Sequence, residues 1–167
     1  TEHRALQDAL AHRAYHDPLT DLPNRARLRD RTAEALARAA AGGGDGAGDP
    51  SRVAVLALDL DGFKLVNDSA GHPVGDALLR VVAERLLSAT RGSDLVARLG
   101  GDEFAVLLTD VGGDADALRV AERILDALAR PIVVLGTTAT VGVSIGLARG
   151  GPAMAADGAP ADGAPPL

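Results

Sequence analysis

Two rhythms of hydrophobic positions alternate along this chain. Unbroken apolar runs occupy residues 53–58, 95–97 and 104–108, and predict strands buried within a sheet. Residues 132–135 and 138–147 predict two more strands. Helical spacing governs residues 25–41, 76–90 and 115–129. In the second of these, Leu78, Leu79, Val82, Leu86 and Leu87 are expected to face inward; in the third, Leu118, Ala121, Ile124, Leu125 and Leu128. Residues 1–16 are also helix-forming, with Leu6, Leu10 and Ala14 at helical spacing. The pattern predicts an α/β fold: an open sheet of about five strands with helices on both faces.

The punctuation is as informative as the runs. The glycine-rich stretch from Gly42 to Pro50 lacks the Gly-Lys-Ser/Thr ending of a phosphate loop and leads into a strand, so it reads as a flexible connection. The stretch 150–167 is rich in Gly, Pro and Ala and reads as a flexible tail. Aromatic residues make up only 2% of the 167 residues, so the core must be built from Ala, Val, Leu and Ile. A net charge of −6 without a basic stripe argues against a nucleic-acid surface. It is compatible with a metal–nucleotide substrate, whose metal offsets phosphate charge. The absence of cysteine excludes disulfides and thiolate chemistry and fits a cytoplasmic protein. No apolar stretch approaches membrane-spanning length, and no membrane contact is expected of these residues.

The chemistry centres on one hairpin, Leu95 to Leu108. Gly100-Gly101 supplies the positive φ angles of a tight turn between two strands. Asp102 and Glu103 follow at once, and nothing about a hairpin asks for adjacent carboxylates, which repel. A second acidic pair, Asp59 and Asp61, ends the strand that begins at Val53. Acidic residues delivered from two strand ends can converge on a divalent cation.

Arg98-Leu99-Gly100-Gly101-Asp102-Glu103-Phe104 resembles the naming motif of the GGDEF family of diguanylate cyclases, without a substitution. The likeness extends over residues 16–148 through further blocks in family order. Asp17 to Arg25 is similar to D-x-L-T-x-L-x-N-R, read as a structural turn entering a helix; Asp59 to Asp68 is similar to D-x-D-x-F-K-x-x-N-D; Gly71 to Asp76 is similar to G-H-x-x-G-D; Val141 to Gly146 is similar to V-x-x-S-I-G. The resemblance implies a fold related to nucleotidyl cyclase catalytic domains. It implies that Asp59, the Leu60 carbonyl and Asp102 hold Mg²⁺ (or Mn²⁺), with Asp102 also in the proposed base position and Glu103 supplying nearby negative charge. The amides of Asp61, Gly62 and Phe63 would face phosphates, Lys64 would neutralise their charge, and Asn67 and Asp76 would read guanine. Read as residues alone, Asp61 and Asp76 are equally helix caps. His72, a loop histidine before proline, reads as structural rather than as a base.

The implied reaction condenses two GTP into cyclic di-GMP and two pyrophosphates, with two domains face to face as a homodimer. Arg91 and Asp94 stand where the family carries its inhibitory product site, and Arg123 where a second product-binding arginine is often found. As plain residues they are a surface ion pair and a solvated helix position. Residues 1–16 resemble the signalling helix below an upstream sensor; as plain residues they read as a surface helix packed on its own domain. The family's C-terminal helix, A-D-x-A-L-Y-x-A-K-x-x-G-R, has no counterpart through residue 167, so these residues alone are expected to be poorly active, with truncation of a longer parent the expected cause. The expected division is therefore a linker helix at 1–16, a GGDEF domain at 17–149 and a tail at 150–167. The alternative reading is a GTP- or product-binding regulatory module controlling an attached domain such as an EAL phosphodiesterase.

Overall fold

The computed structural model describes residues 1–42 and 48–151; most of the glycine-rich connection and all but the start of the predicted tail lie outside the described residues. Its centre is β1 (Ala54–Asp61), which pairs antiparallel on one side with β3 (Glu103–Leu108) and on the other with β6 (Gly142–Arg149). β2 (Leu95–Gly100) adds beyond β3, giving a four-stranded sheet in the order β2-β3-β1-β6. The chain passes from β1 to β2, and again from β3 to β6, by way of helices, which is the split β-α-β arrangement. All neighbours are antiparallel, one strand fewer than the expected sheet.

The missing strand has a local cause. The long run expected at 138–147 breaks after Ala139. Its first part, β5 (Thr137–Ala139), folds back on β4 (Ile132–Val134) as a separate two-stranded ribbon. Leu135 and Gly136 make that turn with φ of 47° and 74°, and two left-handed residues are what the tightest hairpin requires.

One face of β1 is Ala54, Leu56, Leu58 and Leu60, all buried. Register sets Val106 and Phe104 of β3 beside Leu56 and Leu58. Two long helices, α4 (His72–Ala89) and α5 (Asp114–Ala129), complete this core with Leu78, Val82, Leu86, Ile124 and Leu128. Leu87, Leu118 and Leu125 were expected inside, but they are 55%, 51% and 42% exposed. The buried stripe of α5 is Ala117, Val120, Ala121, Ile124 and Leu128, and small alanines let the helix sit close enough to leave its flanking leucines out.

On the opposite face α2 (Arg25–Ala41) packs against β2, and Ala97, Ala105 and Leu107 are buried there. The β1–β6 half of this face stays open: Ala57, Asp59, Asp61, Ser144 and Gly146 are exposed. α1 (Glu2–Tyr15) is exposed along its length and buries no residue. It is joined to the rest by Asn24, whose side-chain amide donates to the Ala14 carbonyl at 2.9 Å while its Oδ1 caps α2 by accepting from Arg27 N–H at 3.1 Å.

Candidate metal and nucleotide site

β1 runs three residues further than its apolar core, so Asp59 and Asp61 stand on the strand itself, on the open face. Asp59 is paired in register with Glu103. One step on, Leu60 N–H donates to the Asp102 carbonyl at 3.1 Å, stitching the hairpin tip to the end of β1. The N–H and C=O of a strand residue share one edge, so the Leu60 carbonyl faces the same tip. The tip is built as its glycines predicted: Gly100 and Gly101 have φ of 134° and 52°, with a bulge between Arg98 and Gly100. Asp102 thus sits in the turn and Glu103 opens β3.

The electrostatics record this crowding. The charge of Asp102, then desolvation, then the charges of Glu103 and Asp61, raise the Asp59 carboxyl above its ordinary value. Carboxylates that repel one another in an exposed corner suit a hard divalent cation. Among the described residues no three carboxylate, imidazole or thiolate side chains are grouped closely enough to hold a metal ion between them. A cleft of about 210 Å³ beside the corner is lined by Ala57, Asp59, Leu99 and Glu103.

Asp61 has a different task from capping. Its carboxylate accepts from the Ser144 hydroxyl at 3.0 and 3.1 Å, and Gly142 leaves it room. The helix that follows, α3 (Phe63–Ala70), begins instead after Gly62, whose φ of 80° makes the corner from strand to helix. Lys64 stands exposed in its first turn.

Asn67 lies on α3 against α4. Its Oδ1 is buried without a hydrogen-bond partner, and a Cβ on Gly75 would come within 1.7 Å of it. Glycine is therefore required at 75 to leave the acceptor where it is. Asp76 follows, exposed, in the second turn of α4. It caps nothing, because α4 starts four residues earlier than expected, at His72, with Pro73 in its first turn where proline is tolerated.

Two arginines tie this corner to the chain entry, and neither was singled out from sequence. Arg98 donates from Nη1 to Asp17 at 2.8 Å and from Nη2 to the Gly101 carbonyl at 2.8 Å. Burial pushes the Asp17 carboxyl up, but the Thr20 hydroxyl and amide together with Arg98 outweigh it, and the net shift is downward. Arg25, the first residue of α2, lies 3.8 Å from Glu103.

Arg91, Asp94 and Arg123 gather elsewhere, beyond the other end of β2. Asp94 accepts from the Arg91 amide at 2.9 Å, the Arg91 guanidinium lies 3.7 Å from Asp116 of α5, and Arg123 Nε donates to the Ala89 carbonyl at the end of α4. Arg123 also lines a cleft of about 470 Å³ between α4 and α5, far larger than the one at the carboxylates but holding only one acid, Asp126.

Residues 14–157 match the family model described as diguanylate cyclase, GGDEF domain. Diguanylate cyclase TpbB of Pseudomonas aeruginosa is 46% identical over 147 residues, 86% of this chain and 32% of that protein. The bifunctional diguanylate cyclase/cyclic di-GMP phosphodiesterase MucR of the same species is 45% identical over 135 residues, 81% of this chain and 18% of that one. The chain thus spans about a third or less of the curated relatives it matches. Among solved structures, the GGDEF domain of TpbB has a TM-score of 0.72 at 44% identity, covering 79% of this chain and 73% of that one. The coiled coil and GGDEF domain of DgcB from Caulobacter crescentus, in complex with c-di-GMP, has a TM-score of 0.79 at 28% identity, covering 93% and 80%.

Proposed function

The chain belongs to the GGDEF domain family, and from that premise we propose that it is a Mg²⁺-dependent diguanylate cyclase domain, condensing two GTP into cyclic di-GMP with release of two pyrophosphates. The observation that carries this reading is the corner of Asp59, Asp61, Asp102 and Glu103, whose mutual repulsion is written in the raised Asp59 carboxyl. Asp59, the Leu60 carbonyl and Asp102 would hold the ion. When bound, it supplies Lewis-acid polarisation of phosphate and of the attacking 3′-hydroxyl. Asp102 would accept the hydroxyl proton, with Glu103 nearby as added negative charge. Lys64 would neutralise charge gathering on the phosphates, and the amides of Asp61, Gly62 and Phe63 would face them at the start of α3.

Guanine would be read by Asn67 and Asp76. The unpartnered Asn67 Oδ1 supports this, because a buried acceptor without a donor costs stability unless a ligand supplies the donor. Guanine offers the N–H groups that such an acceptor and a carboxylate need; adenine does not present the matching pair. One domain offers one such site, so the reaction calls for two domains face to face. Arg91, Asp94 and Arg123 would bind product and feed back on the rate. Residues 17–149 would form the catalytic domain and 1–16 the helix that links it to a partner domain. Among the described residues no helix is long and apolar enough to cross a membrane.

The deciding experiment is product analysis with the complete parent protein. Mg²⁺ and GTP should give cyclic di-GMP and pyrophosphate, and Asp102→Asn should give neither. A parent that binds GTP without releasing pyrophosphate would leave the regulatory-module reading in its place.

A further inference from the structure

We propose that Arg25 is a positioning residue for the carboxylate corner: it holds Glu103 in the metal-free domain and yields it when a divalent cation arrives. The inference rests on the metal-dependent reading above and extends it to a residue on α2. Among the described residues, the Arg25–Glu103 contact of 3.8 Å is the single ion pair made by any of Asp59, Asp61, Asp102 and Glu103. Arg98 and Ser144 have other partners. Arg98 is taken up by Asp17 and the Gly101 carbonyl, and Ser144 serves Asp61.

Helix energetics give no reason for arginine at this position. Arg25 opens α2, where unpaired N–H groups already concentrate positive charge, and the first turn of α2 contains no acidic residue to offset it. A cation placed against a helix dipole needs another cause, and the carboxylate corner provides one. The backbone is held for the purpose. Asn24 caps α2 through the Arg27 amide and is itself tied to α1 through the Ala14 carbonyl, so the origin of the Arg25 side chain is fixed.

The pair is suited to exchange rather than to permanence. Arg25 and Glu103 side chains are 59% and 55% exposed, so water screens their attraction. A guanidinium does not lose its proton near neutral pH. Arg25 therefore competes with any divalent ion that draws on Glu103, and the competition discourages the corner from collecting cations before substrate brings one.

Side-chain NMR and Mn²⁺ binding test this on the 167-residue chain. The Arg25 Nε–Hε resonance of the metal-free protein should move on Glu103→Gln, and saturating Mg²⁺ should move the wild-type resonance toward the same position. Mn²⁺ affinity, followed by electron paramagnetic resonance, should tighten roughly two- to five-fold in Arg25→Gln, the worth of an exposed ion pair. It should stay near wild type in Arg25→Lys, and the gain should vanish when Arg25→Gln is made on a Glu103→Gln background. An Arg25 resonance indifferent to Glu103→Gln, or an Arg25→Gln protein with unchanged or weaker Mn²⁺ affinity, overturns the proposal. If wild type binds no Mn²⁺ that Asp59→Asn removes, the metal reading itself fails and the handover with it. The Glu103→Gln comparison then still decides whether Arg25 holds that carboxylate.

Discussion

Arg98 and Asp17 lie 81 residues apart in sequence and form an ion pair of 2.8 Å, with side chains only 12% and 11% exposed. The same guanidinium grips the Gly101 carbonyl, one residue before Asp102. The Arg98 amide donates in turn to the Pro23 carbonyl. The loop leaving α1 and the turn carrying the candidate catalytic carboxylate are therefore fastened to each other through one side chain.

Breaking that fastening should be costly. Arg98→Met leaves a largely buried carboxylate without its charged partner, and unfolding in urea should show a loss of about 2–3 kcal/mol. Asp17→Asn should lose less, because Thr20 still donates its hydroxyl and amide. An Arg98→Met protein as stable as wild type would mean that solvent reaches this pair more freely than its exposure indicates.

The same pair gives stability a pH dependence of known sign. Asp17 has a lowered carboxyl, so it binds a proton more weakly folded than unfolded. Its stabilisation is fully present above the ordinary aspartate value of about 3.9 and is lost as pH falls through the lowered one. Asp17→Asn should flatten the acid limb of a stability–pH profile. The flattening should be partial, since Asp21, Asp49 and Asp116 are also lowered, by hydrogen bonds from His12, Ser51 and the Gly112 amide.

Asp59 should behave in the opposite sense. A carboxyl raised on folding opposes the folded state above its folded value, and the opposition disappears as pH falls below the unfolded one. Asp59→Asn should therefore raise the thermal midpoint at pH 7 while removing Mg²⁺-dependent turnover in the parent protein. Mg²⁺ should raise the midpoint of wild type and leave the variant's unmoved. A variant less stable than wild type at pH 7 would remove the repulsion on which the metal reading rests.

Asn67 should show the same separation of folding from function. Replacing it with Ala removes an acceptor that has no partner, so the fold should be unharmed or slightly more stable. GTP affinity should fall by about 1–3 kcal/mol, and ATP affinity much less. Gly75→Ala should also weaken GTP, by driving its Cβ into Asn67 Oδ1. Calorimetry with both nucleotides on the three proteins is the measurement; equal losses for GTP and ATP would assign Asn67 to phosphates or to the fold.

What the sequence made legible divides along the range of the forces involved. Helix α2 and the β2–β3 hairpin follow from local periodicity and turn glycines, and both appear where expected. The register that sets Asp59 opposite Glu103 is nonlocal, but the acidic pairs at two strand ends pointed to it. Illegible were the features decided by the other side of a contact. Leu118 and Leu125 satisfy helical spacing, and only the packing partners of α5 leave them outside. Asp61 and Asp76 carry the residue type of a cap, and neither caps, because Gly62 and Gly71 turn the chain first. Arg98 and Arg25 lie inside motifs that resemble the family's, but an arginine's partner is invisible until its long side chain is placed.

The last prediction concerns the proposed product site. Arg91 and Asp94 precede β2, and Asp102 follows its far end, so six strand residues at about 3.3 Å each separate the two places by roughly 20 Å. Arg91 cannot touch a substrate at the carboxylates from there. Its guanidinium lies 3.7 Å from Asp116, an exposed contact worth at most about 1 kcal/mol to the fold. Arg123 meanwhile donates to the carbonyl of Ala89, two residues before Arg91 in the chain. In the proposed product site the two arginines would together hold the phosphates of a cyclic dinucleotide. Arg91→Ala in the parent protein should therefore leave the initial rate and the thermal midpoint unchanged while abolishing inhibition by accumulated product. Arg123→Ala should weaken that inhibition less, because its guanidinium is already bonded to Ala89. Cyclic di-GMP affinity measured by calorimetry decides it: equal affinity in wild type and Arg91→Ala leaves Arg91 as one half of a surface ion pair and nothing more.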